Sequence, residues 1–128
     1  TKGTALNGKL EKKVDATTLG FGISETFTGQ YLNSKPIYQK MISAGALPNN
    51  TTKSISTGIT GADYVWVDME NSFAFNSGAS YPIPYVDPRA MANSIGVRIT
   101  SNGATVIVST GANWSTYSGS ITLRYTKK

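Results

Sequence analysis

Apolar and polar residues change places every second position along several short stretches of the chain. In "DYVWVDM" (63–69), Val65, Val67 and Met69 fall on one side and Tyr64, Trp66 and Asp68 on the other, the period-two pattern of a half-covered strand. "SIGVRIT" (94–100) sets Ile95, Val97 and Ile99 against Arg98. "SITLRYT" (120–126) sets Ile121, Leu123 and Tyr125 against Thr122, Arg124 and Thr126. "ATVIVST" (104–110) is a continuous apolar run, which predicts a strand covered on both sides. "SNG" (101–103) between two of these strands predicts a tight hairpin, because Asn-Gly tolerates positive φ.

Prolines place further segments. "KPIYQKMI" (35–42) reads as a strand that begins at Pro36 or lies at an edge, since proline has no N–H to give to a ladder. "YPIPYVDP" (81–88) carries three prolines and predicts an extended edge segment, with Tyr81, Ile83 and Tyr85 on one side. "ISAGALPNNTTKSISTGI" (42–59) reads as a strand closed by Leu47-Pro48, a turn and a second strand, together a meander element of a scaffold. About eight strands without intervening helices predict an all-β fold, an antiparallel β-sandwich.

Residues 1–23 differ. Leu6, Leu10 and Val14 have helical spacing. Asn7-Gly8 weakens a helix, since glycine costs about 1 kcal/mol against alanine, and three apolar points do not hold so short a helix alone. The expected division is a polar stem at 1–23 and a sandwich head at 24–128. The chain starts at Thr1, not Met, which suggests a piece of a longer polypeptide.

Composition narrows the chemistry. With no histidine and no cysteine in 128 residues, a Ser–His–Asp triad, an imidazole metal cage and disulfides are excluded. No cofactor and no metal are expected. The net charge is +5, but the basic residues gather at the ends (Lys2, Lys9, Lys12, Lys13; Lys127, Lys128). From Gly20 to Arg89 four basic residues face five acids. Nucleic-acid proteins concentrate such charge in a stripe, so a nucleic-acid partner is not expected. No apolar run approaches the roughly 20 residues of a membrane helix, and no membrane insertion is expected.

The acids offer one pair. Asp68 and Glu70 stand two apart on a predicted strand, roughly 7 Å from each other, a spacing that suits a glycosidase as well as two solvated side chains. No catalytic residue is assigned. The aromatics are more informative. "GANWSTYSG" (111–119) places Trp114 among Asn113, Tyr117 and hydroxyl side chains, and two glycines bracket it. Such a loop predicts a saccharide platform: the indole held outward for stacking, with Asn113 and Tyr117 as polar partners. The alternative is Trp114 packed over one end of the sandwich or against a neighbouring chain. Tyr64 and Trp66, opposite the valines, form a second candidate face for ligand or for an interface between chains.

"KPIYQKMISAGALPNNTTKSISTGI", "YPIPYV" and "SITLRYTKK", in this order, resemble the C-terminal head domain of bacteriophage tail fibres and receptor-binding proteins over about residues 24–128. The family carries a histidine where Thr57 stands. The resemblance implies a homotrimeric β-sandwich head on a virion tail, assembled in the host cytoplasm, that binds a host cell-surface polysaccharide without cleaving it. The rival expectation is a structural trimerisation cap of a longer fibre or tailspike.

Overall fold

The computed structural model describes residues 22–128, so the expected stem lies almost wholly outside the described residues. The described residues form two antiparallel sheets facing each other, an all-β sandwich. The strands are β1 (Thr26–Leu32), β2 (Lys35–Ala46), β3 (Thr52–Ser56), β4 (Ala62–Asn76), β5 (Ala79–Pro82), β6 (Tyr85–Val86), β7 (Ser94–Thr100), β8 (Thr105–Thr110) and β9 (Ser118–Lys127). One sheet has the order β1-β2-β9-β4-β5 and the other β3-β8-β7-β6.

The closing strand β9 is the hub. It lies between β2 and β4, so every backbone group can pair, and both of its faces are covered. Ile121, Leu123 and Tyr125 point into the core, and Thr122 and Thr126 on the opposite face are equally buried. The facing sheet supplies Ile95, Val106 and Val108. Tight turns follow from local chemistry. Asn33-Ser34 joins β1 to β2 with both φ values positive, as a two-residue hairpin requires. The expected "SNG" hairpin joins β7 to β8, again with positive φ through Ser101–Gly103.

Four expectations change. Met69 is 63 % exposed, because the β4–β9 register breaks between Asp68 and Phe73 and a bulge turns the chain outward. β8 is covered on one side only: Val106, Val108 and Thr110 are buried while Thr105, Ile107 and Ser109 are half-exposed. The segment 42–59 is not a meander, since β2 and β3 belong to different sheets and residues 47–51 cross between them. Lys53 ties that crossing down, donating to the carbonyls of Ala44 (2.6 Å) and Ala46 (2.9 Å). Finally, "YPIPYV" splits into two edge strands, β5 and β6, one on each sheet, with the Ile83 side chain fully buried between them.

Candidate functional site

The Trp114 loop is zipped to the 47–50 crossing. Leu47 N–H donates to Tyr117 O (2.9 Å), Asn50 N–H to Ala112 O (2.8 Å) and Trp114 N–H to Pro48 O (3.2 Å). The indole is therefore turned inward and is only 3 % exposed. Tyr81, Tyr85 and Tyr117 surround it edge to face, with centroids at 5.2, 5.7 and 5.0 Å, the geometry favoured by ring quadrupoles. Trp114 thus caps one end of the core and presents no stacking platform. Asn113 is exposed, but its side-chain oxygen accepts from Ser115 N–H (3.0 Å) and Ser115 Oγ (2.6 Å), closing its own turn. Neither bracketing glycine has positive φ. They are glycines because of close approach: a Cβ at Gly111 would lie 2.1 Å from Ala92 O, and one at Gly119 2.7 Å from Leu47 Cδ2.

Two other sequence motifs are also absorbed by the fold. Thr57 donates to Gly103 O and accepts from Ile59 N–H (3.1 Å). It clamps the β7–β8 turn. Asp68 accepts from Glu70 N–H (3.2 Å) and Asn71 Nδ2 (2.7 Å) and lies 3.3 Å from Arg124 Nε. It organises the bulge, and Glu70, inside the register break, is not held in the regular two-residue repeat expected for a glycosidase pair.

A polar cluster ties β1's entry to the hub strand. Tyr125 Oη donates to Glu25, and Lys127 Nζ donates to the same carboxylate at 2.5 Å. Burial pushes the Glu25 carboxyl up, but the bonds from Lys127 and Tyr125 outweigh it and hold it below its ordinary value. Burial, then Glu25, pushes the Tyr125 phenol up. The hydrogen bond to Glu25 raises Lys127. This cluster is fully satisfied and structural.

The outer face of the five-stranded sheet is different. Cross-strand rows run Gln39–Arg124–Trp66, Met41–Thr122–Asp68, Ser43–Ser120–Phe73 and Ala46–Ser118–Phe75. Tyr64 (57 % exposed) and half-buried Trp66 lie on this face, as their alternation predicted. Further along β4, Phe73 and Phe75 stand exposed with ring centroids 5.7 Å apart. Between them and Met41 on β2, the floor is made of Ser118 and Ser120. The result is an open groove of about 380 Å³, at the small end of ligand sites, which span about 300–1,000 Å³. Sequence reading passed over "SFAF" (72–75). Its alternation was visible, but only the β4 bulge decides that the phenylalanines, and not Ala74, face outward.

Among the described residues no cluster of His, Cys, Asp and Glu could hold a metal, and no helix is long and apolar enough to cross a membrane. Compared with family models, curated proteins and solved structures, the chain matches none.

Proposed function

We propose that the chain is a receptor-binding head at the tip of a phage tail fibre or related phage-tail-like particle. It assembles as a homotrimer and attaches to a host surface saccharide without cleaving it. The observation that carries this reading is the open outer face of the five-stranded sheet. There, Tyr64, Phe73 and Phe75 remain exposed beside half-buried Trp66 on β4, which pairs with β9 before and after its bulge. Apolar rings left exposed on one sheet face mark a surface that works by contact. The ordered "KPIY", "GALPN", "PIPYV" and "SITLRYTKK" segments support the fibre-head assignment by resemblance.

The test is binding of the labelled chain to a panel of bacterial strains, before and after periodate oxidation of surface glycans. The reading expects strain-selective binding that periodate abolishes. Binding to no strain, or binding untouched by periodate, contradicts it.

A second reading, a trimerisation cap without a ligand, draws on a second aromatic patch. Phe27 and Tyr31 on the edge strand β1 are 46 % and 62 % exposed, outside the buried core. Sedimentation expects a species of three chains, each of 13.6 kDa. A stable monomer at micromolar concentration contradicts both readings.

A further inference from the structure

We propose that the groove between Met41 and Phe73–Phe75 is the saccharide site, and that it takes an uncharged sugar ring. The inference rests on the receptor-binding reading and gives it a location. The walls are apolar and the floor is hydroxylic: Ser43 and Ser120 lie side by side on adjacent strands, with Ser118 one step further along β9. A pyranose has the matching two-sided chemistry, an apolar C–H face that stacks on a phenyl ring and an edge of hydroxyls.

Ser120 supplies an independent observation. Its side chain is more than nine-tenths buried, yet its Oγ has no hydrogen-bond partner. Buried hydroxyls are almost always paired, and an unpaired one calls for an explanation. A sugar hydroxyl supplies the missing bond once the side chains around the groove part to admit it, since the Oγ has almost no accessible surface of its own. An apolar side chain from a second copy of the chain would leave Ser120 unpaired, so the groove suits a polyol better than a protein contact. None of the residues lining the groove is charged. An anionic sugar would therefore lose hydration without gaining an ion pair, which predicts preference for neutral rings.

The floor is shaped by the fold. At Gly119, core packing leaves no room for a Cβ against Leu47 and Ala44. On its two sides, serines place the smallest polar side chains outward, so the flanking Met41 and phenylalanines stand above them as walls.

The experiment is heteronuclear NMR of the whole chain, titrated with methyl glycosides of neutral hexoses, N-acetylhexosamines and hexuronic acids. Neutral glycosides are expected to shift the amides of Phe73, Phe75, Ser118 and Ser120, and hexuronates are not. Phe73→Ala is expected to weaken binding about tenfold or more, the scale of a lost aromatic stack. Ser120→Ala is expected to weaken it while the melting temperature stays level or rises, because that hydroxyl has no partner to lose. Shifts that map to another surface overturn the proposal, as does unchanged affinity in both variants. An oligomer that dissociates on Phe73→Ala also overturns it, since the groove is then an interface between copies. If no glycoside shifts these amides while the chain still binds cells, the groove assignment fails and the receptor reading survives. If the shifts appear but no strain is bound, the groove stands and the fibre-tip reading fails.

Discussion

Two aromatic regions of this molecule have opposite fates. Around Trp114, three tyrosines close on one indole, and the loop that carries it is bonded along its length to the 47–50 crossing. Phe73 and Phe75 pack against each other but stay 41 % and 46 % exposed, and the hydroxyl floor beside them holds an unpaired Ser120. The first region spends its aromatic surface on stability. The second leaves it available. Aromatic content alone does not separate them. The difference lies in the backbone: a loop captured by another segment turns its ring inward, whereas a strand at a sheet's outer face holds its rings out.

Substitutions break this comparison in order of size. Trp114→Ala is expected to cost about 3–5 kcal/mol, the range for emptying a large core site, measured by denaturant unfolding. Loss of less than about 1 kcal/mol, a surface-like effect, would mean that the indole is not core. Gly119→Ala is expected to cost about 1–3 kcal/mol by overpacking, since the new methyl meets Leu47 and Ala44 on the core side. By contrast, Phe73→Ser or Phe75→Ser is expected to change stability by about 1 kcal/mol or less, because each ring is already almost half exposed.

The polar cluster at β1 gives a pH signature. Glu25 is held below its ordinary 4.5, so its contribution is complete above that value and is lost as pH falls through the lowered one. Tyr125 and Lys127 are raised above 10.0 and 10.5, so theirs is complete below those values and is lost as pH rises further. In thermal melts, wild type should exceed Glu25→Gln at about pH 6, and the gap should narrow once pH falls below 4.5 and close as it passes the lowered value. A gap independent of pH would show that the carboxylate's charge is not what holds β1.

Much of the fold was legible because period-two alternation reports directly on sheet faces. The inward sets Ile95/Val97/Ile99 and Ile121/Leu123/Tyr125 were readable residue by residue, as were the "SNG" turn and the edge placement of "YPIPYV", whereas Pro36 stands near the start of β2, an inner strand. The site was less legible. Polar neighbours made Trp114 look like a surface residue, but its orientation depends on hydrogen bonds to Pro48 and Leu47, more than sixty positions away. The β4 bulge likewise fixed the fates of Met69, Asp68 and the phenylalanines through pairing with β9, which no local pattern encodes. Tyr64 and Trp66 were placed correctly, because they precede the bulge and follow simple alternation.

The central claim is non-catalytic saccharide attachment through the Phe73–Phe75 groove. Its most direct test is binding of the whole chain to polysaccharide extracted from a strain that it recognises, with released reducing ends followed in the same sample. The account predicts saturable binding without new reducing ends, and a loss of about tenfold or more in the Phe73→Ala/Phe75→Ala double variant while its melting temperature stays near wild type. Equal binding by the folded double variant, or reducing ends that accumulate with time, would contradict it.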